Sequence, residues 1–254
     1  MDFRKVFDRI PEQFDQWRPR YCDELFVDLI EYADLKPGKT VLEIGPGTGQ
    51  ATEPVLKTGC SYLAIELGEN FTEFMKKKFG SYENFHIVNA DFESYDFKNN
   101  QFDLVYSAAA FQWIPENIGY PKAYDILKNN GAFAMFMMRP DIQPGGGYTD
   151  EPLYTKIQEV YSRFFHPEVE YKCRLDYDAR DKYGFVGLKR REYFKTRTYS
   201  ADDYVSLIAT HSDHITLKEP YRTNFYEGIR AVIQDAGNQI TLYDKITMYL
   251  AKKP

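Results

Sequence analysis

The chain has 254 residues, of which 43% are hydrophobic and 28% charged, as is typical of a globular protein with a sizeable core. Acidic residues outnumber basic residues by 38 to 32, and the formal net charge of −6 argues against broad nucleic-acid binding. The three cysteines (Cys22, Cys60 and Cys173) are far apart and fit neither a metal site nor a disulfide framework, which predicts a reducing cytoplasm.

The sequence gives no sign of a membrane segment. Residues 1–17 are charged throughout, so we expect no signal peptide. The longest apolar run, 132–138, is too short to span a bilayer and is interpreted as a buried strand. We therefore expect a cytoplasmic protein, monomeric or homodimeric, with a small molecule rather than nucleic acid or a membrane as its partner.

Helix and strand signals alternate over the first 138 residues, which is the pattern of a parallel α/β sheet. A helix is predicted over 23–32, where apolar residues recur at helical spacing ahead of Pro37-Gly38. The predicted strands that follow are 40–44, 61–65, 85–88, 102–106 and 132–138. The predicted helices between them are 50–57, 70–79 and 121–127, with turns at Asn99-Asn100 and at Asn129-Asn130-Gly131.

The second half of the chain has a different pattern. The run Pro144-Gly145-Gly146-Gly147 indicates either a hinge or a plain surface loop. Residues 150–189 are expected to be mostly helical and rich in aromatic residues. The further predictions are a strand over 192–199, a helix over 201–210 capped by Ser200, a helix over 225–236 ending at Gly237, and a closing strand or hairpin over 240–250. We interpret 1–254 as one domain, with a core at 1–138, a helical insertion or lid at 140–189 and closing elements at 190–254.

The stretch 40–50 combines a buried strand with a glycine turn and the start of a helix. Gly45, Gly47 and Gly49 let the backbone turn sharply and approach a ligand closely. A dinucleotide fingerprint requires glycine where this chain has Gln50, and its pyrophosphate would be repelled by Glu43. A carboxylate suits the cationic cofactor S-adenosylmethionine (SAM), which we favour over NAD. A glycine turn that merely packs is the remaining alternative.

Polar or small residues end the next predicted strands, and the carboxyl ends of strands are where open α/β sheets bind ligands. Glu66 can accept hydrogen bonds from two ribose hydroxyls. Asp91 can accept from an adenine amino group while Phe92 packs on its ring. Small residues, beginning with Ser107 and Ala108, follow strand four and leave room for a ligand.

Taken together, these motifs resemble the class I SAM-dependent methyltransferase family. The residues that carry the resemblance are 41–49, Glu66, Asp91, 102–105 and 129–133. The family implies a Rossmann-like α/β fold, with a seven-stranded and mostly parallel sheet whose last strand is antiparallel, here with a helical insertion or cap. It also implies SAM as cofactor, with the following residues at the cofactor site: Arg18, Tyr21, Glu43, Gly45, Pro46, Gly47, Thr48, Gly49, Glu66, Leu67, Asp91, Phe92, Ser107 and Ala108.

The methyl acceptor is less clearly marked. Residues 111–115 and 17–21 are similar to segments of methyltransferases that act on trans-aconitate and related small acids. Gln112 cannot serve as a general base, whereas a carboxylate acceptor needs none, only cationic clamps and alignment. Candidate clamps are Arg18, Arg20, Arg139 and 189–191. Gln112, Trp113 and Arg139 are therefore the predicted substrate-binding residues, and no catalytic residue is assigned.

Two further features of the sequence each allow two interpretations. The aromatic residues of 148–204 could line an acceptor pocket under a lid or form the packing core of a small cap. His211 and His214 have a spacing seen in some metal sites, but no third ligand is evident, so we expect no metal. The alternative functions are an NAD-dependent oxidoreductase, which lacks its catalytic Tyr-x-x-x-Lys here, and a SAM-binding module without turnover.

Overall fold

A computed structural model of the chain describes residues 3–98, 101–140, 151–167 and 175–254. The described α-helices are α1 (Pro11–Trp17), α2 (Asp23–Ala33), α3 (Thr52–Leu56), α4 (Glu69–Phe79), α5 (Glu116–Asp125), α6 (Glu151–Phe164), α7 (Ala201–Ile208), α8 (Ser212–Ile215) and α9 (Tyr221–Asp235). The described strands are β1 (Thr40–Ile44), β2 (Ser61–Glu66), β3 (Phe85–Asn89), β4 (Phe102–Ala108), β5 (Leu127–Pro140), β6 (Val186–Tyr199) and β7 (Ile240–Lys252). Short 3₁₀ helices lie at Phe3–Arg9, Phe111–Trp113 and Ala179–Tyr183.

The strands of the described ranges form one seven-stranded sheet in the order β3-β2-β1-β4-β5-β7-β6. The first five are parallel, and β2 pairs with β1 from Thr40 opposite Ser61 to Ile44 opposite Ile65. The start of β5 meets the end of β7, where Lys253 exchanges backbone hydrogen bonds with Asn130 and Gly131. The predicted fold class, a mostly parallel Rossmann-like sheet with antiparallel closing strands, is confirmed.

The chain divides into two compact units. The first, called the sheet unit, comprises the described residues of Pro19–Met138, Cys173–Tyr193 and Ile246–Pro254. The second, called the helical unit, comprises those of Met1–Arg18, Arg139–Lys172 and Phe194–Lys245. Among the described helices, none is both long enough and apolar enough to cross a lipid bilayer.

Each unit has its own hydrophobic core. In the sheet unit, alternate residues of a strand belong to different clusters: Val41 packs into one and Leu42 into the other. Because side chains alternate across a strand, the two clusters cover opposite faces of the sheet. The helical unit has a third cluster, built on Ile157, Phe225 and Ile229, all fully buried. Several aromatic residues of the predicted insertion, including Tyr161 and Phe165, pack against this third cluster.

Most predicted elements of the first 138 residues are present, and two differ in extent for physical reasons. The predicted helix at 121–127 begins at Glu116 and contains Pro121, which the sequence suggested as its start. Asn129-Asn130-Gly131 lies inside β5 as a bulge, where the partner of β4 jumps from Leu127 to Ala132 and Asn130 has φ +61°. The Asn99-Asn100 turn lies outside the described residues.

The prediction for 150–189 is only partly right. Helix α6 fits it, but β6 starts at Val186, six residues before the predicted strand. The first five residues of β6 are all exposed, so the sequence there lacks the in-out alternation by which a strand is recognised. Ser200 caps α7 as predicted, its side chain accepting from Asp203 N at 3.2 Å. The predicted hinge at Gly145–Gly147 lies outside the described residues.

Candidate functional site

The glycine loop that follows β1 needs glycine for two reasons. Gly45, Gly47 and Gly49 have φ values of +65°, +59° and +85°, a region that side-chain-bearing residues rarely adopt. A Cβ on Gly45 would also lie 2.5 Å from Cβ of Ala110, which follows β4. The loop after β1 and the loop after β4 therefore approach each other more closely than side chains would allow.

Glu66, the last residue of β2, holds this loop in place by a hydrogen bond. Its Oε2 accepts from Gly47 N at 3.0 Å, and its Oε1 accepts from Gly68 N at 2.8 Å. The side chain is only 7% exposed. Hydrogen bonds from neutral N–H groups to a carboxylate are stronger than neutral pairs, so the charge of Glu66 holds the loop to the strand end. The sequence placed Glu66 at the site but did not reveal this bridge.

Glu43 of β1 lies fully buried behind the loop. Its Oε2 accepts hydrogen bonds from Thr52, at 2.6 Å, and from the Tyr62 hydroxyl, which also contacts the Tyr106 hydroxyl. Burial raises the pKa of Glu43 from 4.5 to about 7, against the opposing effect of these hydrogen bonds. Among the described residues, its Oε1 has no hydrogen-bond partner. The contact of Glu43 with a cationic cofactor stays a prediction.

Replacing Glu43 with glutamine is expected to raise the free energy of unfolding at pH 8 by about 2 kcal/mol. At pH 8 the carboxylate is charged, and the rise of its pKa from 4.5 to about 7 means that folding destabilises this charged form by about 3 kcal/mol. Glutamine carries no charge and avoids this cost, but it loses one hydrogen bond that contributes about 1 kcal/mol. Because the folded pKa is raised, wild-type stability falls as the pH rises from 4.5 to about 7. Urea unfolding from pH 4 to 8 should show this fall in the wild type and not in the variant. An equal fall of stability with pH in both proteins would show that the titration of Glu43 does not cause it.

Asp91 and Phe92 follow β3, and the structure gives them different surroundings. Asp91 is partly exposed, and its Oδ1 accepts from Glu93 N at 3.0 Å. Phe92 is only 4% exposed, with its ring 5.7 Å from that of Phe97 and with the Lys122 ammonium 5.4 Å above it. The ring of Phe92 thus belongs to the protein core, and its packing on an adenine ring stays a prediction.

The end of β4 carries a strained backbone position that the sequence did not indicate. Ser107 is buried and its hydroxyl donates to Ile44 O at 2.9 Å. Ala109 has φ +54°, although it is not glycine. Its carbonyl accepts from Gln112 Nε2 at 2.8 Å, and Gln112 Oε1 accepts from the Tyr177 hydroxyl at 3.4 Å. Strained backbone is often found where a protein binds ligands.

Replacing Ala109 with glycine is expected to stabilise the protein by about 1 kcal/mol, because the left-handed region costs an alanine about 1–2 kcal/mol. The matched control is Ala110→Gly, at φ −123°, where glycine only adds freedom to the unfolded chain and should destabilise by about 0.5–1 kcal/mol. Urea unfolding measures both. Equal effects of the two substitutions would show that Ala109 is not strained.

The remaining predicted residues lie in both units. In the sheet unit, Tyr21 sets its ring edge-on to Phe136 at 4.8 Å, and Trp113 ends the 3₁₀ helix that contains Gln112. The others of the sheet unit, placed in or beside the loops that follow β1, β2 and β4, are Pro46, Thr48, Leu67 and Ala108. Arg18 and Arg139 belong to the helical unit, and Arg18 Nη2 donates there to Thr210 O at 2.7 Å. A shared site for these residues stays a prediction.

Two further side-chain hydrogen bonds hold the glycine loop, and the sequence did not indicate them. Gln50, the residue that departs from the dinucleotide fingerprint, donates from Nε2 to Thr48 Oγ1 at 2.6 Å. Lys78 of α4 donates from Nζ to Thr48 O at 2.9 Å. The tyrosines around Glu43 could have been suspected, because a tyrosine in a buried strand needs a partner for its hydroxyl.

Comparison with known proteins assigns this arrangement to a family. The sequence model of the methyltransferase domain family matches residues 42–135, which span β1 to β5 and include Glu43, the glycine loop, Glu66 and Asp91. The prediction of a methyltransferase domain is thereby confirmed for residues 42–135.

The relatives of this methyltransferase domain match parts of it or its fold. The ribosomal RNA small subunit methyltransferase A of Dehalococcoides mccartyi is 40% identical over 63 residues, which are 25% of this chain and 22% of that protein. The chain thus spans about a fifth of that relative's length.

Two solved structures show the fold. The YcgJ protein of Bacillus subtilis has a TM-score of 0.61 at 13% identity, over 91% of this chain and 99% of that chain. Phosphoethanolamine N-methyltransferase 2 of Haemonchus contortus, solved with phosphomonomethylethanolamine and S-adenosylhomocysteine, has a TM-score of 0.57 at 16% identity, over 99% of this chain and 60% of that chain.

Proposed function

We propose that this protein transfers a methyl group from SAM to a small-molecule acceptor. The observation that carries the proposal is the glycine loop, turned by Gly45 against Ala110 and fastened through Gly47 to the Glu66 carboxylate, inside a methyltransferase domain. In such sheets the carboxyl ends of the strands are the binding edge.

The residues present fit SAM better than a phosphate-bearing cofactor. SAM supplies an activated methyl group on a sulfonium and carries an ammonium group but no phosphate. Carboxylates stand at or next to the ends of three neighbouring strands, Glu43 in β1, Glu66 in β2 and Asp91 after β3. Glu43 also has a buried oxygen available for a further donor. In our assignment the loop Gly45–Gly49 holds the methionine part, Glu66 the ribose and Asp91 the adenine.

For the acceptor we propose a carboxylate oxygen. Gln112 has no basic group, and its amide hydrogen-bonds to Ala109 O and to the Tyr177 hydroxyl. A carboxylate needs no base, because in-line displacement at the sulfonium depends mainly on alignment of the two reacting atoms. Gln112 and Trp113 would position this acceptor and Arg139 would bind its charge.

A methyl-transfer assay with labelled SAM tests the acceptor. Small carboxylic acids, phenols and amines are offered separately to the full chain, and the labelled product is counted. We expect transfer to a carboxylic acid, reduced at least tenfold in Arg139→Ala. Transfer confined to phenols or amines would overturn the carboxylate assignment. Binding of SAM without transfer to any class would favour the SAM-binding module.

The match to ribosomal RNA methyltransferases makes RNA a second candidate acceptor, so the expectation of no nucleic-acid partner is not supported. The same assay with a ribosomal RNA fragment decides between the two. Transfer to RNA that exceeds transfer to every small acid would replace the proposed acceptor.

A further inference from the structure

Three side chains of the kinds that bind metal ions meet in the helical unit. They are His211, Asp213 and His214, and one ligand atom of each lies within 4.8 Å of those of the other two. The sequence suggested only the two histidines. We propose that these three residues bind one divalent transition-metal ion, such as Zn²⁺ or Co²⁺. This proposal does not rest on the proposed methyl transfer.

The local fold holds the three residues together. His211 is the N-cap residue of α8, and its carbonyl accepts from Ile215 N at 2.9 Å. Asp213 Oδ1 accepts from His214 N at 3.0 Å, which turns the carboxylate toward the histidine ring. The two imidazole rings lie 5.2 Å apart at 87°. Because all three ligands come from four consecutive residues, little chain entropy is lost when an ion gathers them.

The donor set fits a borderline metal. Two imidazole nitrogens and one carboxylate oxygen suit Zn²⁺, Co²⁺ and Ni²⁺ better than Mg²⁺ or Ca²⁺, which prefer oxygen alone. Three protein ligands leave a coordination position for water or another ligand, as in open zinc sites.

His214 has an outer partner of the kind found around metal-bound histidines. Its Nδ1 lies 2.7 Å from Asp213 Oδ1, and its Nε2 lies 2.9 Å from the Tyr161 hydroxyl. With Nδ1 used as a metal ligand, Nε2–H would donate to the Tyr161 oxygen, which would hold the ring in its orientation.

Other groups around the cluster limit the affinity. The rings of Phe165 and Phe225 pack against His214 with centroids at 4.6 and 5.4 Å, and they offer no ligand atoms. Arg18 and Arg197 disfavour added positive charge near His211, although Arg197 is paired with Asp244. We therefore expect micromolar rather than tighter binding.

The test uses the untagged full chain, titrated with Co²⁺ and followed by visible absorption and by calorimetry. We expect one ion per chain with the absorption of a low-symmetry site, and at least a tenfold loss of affinity in Asp213→Asn and in His211→Ala. Tyr161→Phe should weaken binding by about tenfold, the usual cost of removing an outer partner. The matched control is His86→Ala, an exposed histidine of β3, which should bind as the wild type does.

A second readout needs no variant and so does not depend on whether a variant folds. The chain has four histidines, and bound Co²⁺ should shift the ring NMR signals of His211 and His214 while those of His86 and His166 stay in place. The proposal is overturned if no ion binds stoichiometrically, if Asp213→Asn binds as tightly as the wild type, or if the shifted signals belong to His86 or His166.

Discussion

Replacing Glu66 with glutamine is expected to weaken SAM binding by about a hundredfold. The variant keeps the shape of the side chain but loses its charge and puts an NH₂ group in place of an oxygen that accepts from Gly47 N or Gly68 N. Each hydrogen bond to a charged group contributes about 1.5–3 kcal/mol, and about 2.7 kcal/mol corresponds to a hundredfold change in dissociation constant. Loss of the proposed ribose contacts acts in the same direction.

Calorimetric titration with SAM measures the effect, and Glu73→Gln is the matched control. Glu73 lies on α4, about half exposed, where it pairs with Lys76 at 2.8 Å. A surface pair of this kind contributes little, so the control should bind as the wild type does. If Glu66→Gln bound SAM within a factor of about three of the wild type, a difference of less than about 0.7 kcal/mol, Glu66 would have no part in cofactor binding.

Replacing Gly45 with alanine is expected to abolish measurable SAM binding. The added Cβ would lie 2.5 Å from Cβ of Ala110, on backbone with φ +65°, so one of the two loops must move. A misplacement of about 1 Å can cost a binding or catalytic site about two orders of magnitude. The contact also joins the two loops that end β1 and β4, so the displacement affects both sides of the proposed site.

Gly38→Ala separates this effect from simple backbone strain. Gly38 also has a positive φ, +92°, but a Cβ there would meet no atom within 4 Å. It should therefore lose about 1–2 kcal/mol of stability, the left-handed penalty alone, and keep SAM affinity. Equal SAM affinity in the two variants, with both folded by circular dichroism, would show that the close approach of the loops is not needed for binding.

The strands of the first half could be predicted because each carries its own signal in the sequence. Val41, Leu42 and Ile44 form a short apolar run ended by glycines, and β1 has the predicted bounds. Strand β6 could not be predicted to its start, since its first residues face solvent and show no period. The bulge at Asn130 looks like an ordinary turn in sequence, because asparagine tolerates positive φ in either setting.

The candidate site likewise has features that the sequence predicts and features that it does not. The glycines and Glu66 were predictable because a turn with positive φ and a carboxylate at a strand end are local features. The bond from Gly47 to Glu66 joins residues 19 positions apart, and that from Tyr62 to Glu43 likewise, so neither has a local signature. Asp213 was not predicted as a ligand because neighbouring side chains usually point apart. Here the backbone of α8 lets the Asp213 carboxylate reach both the N–H and the ring of His214.

Calorimetric titration of the full chain with SAM, S-adenosylhomocysteine and NADH tests whether the glycine loop belongs to a SAM site. We expect micromolar binding of the first two and none of NADH. Binding of NADH alone would contradict the assignment and identify the loop as a dinucleotide site in which Gln50 replaces the last glycine.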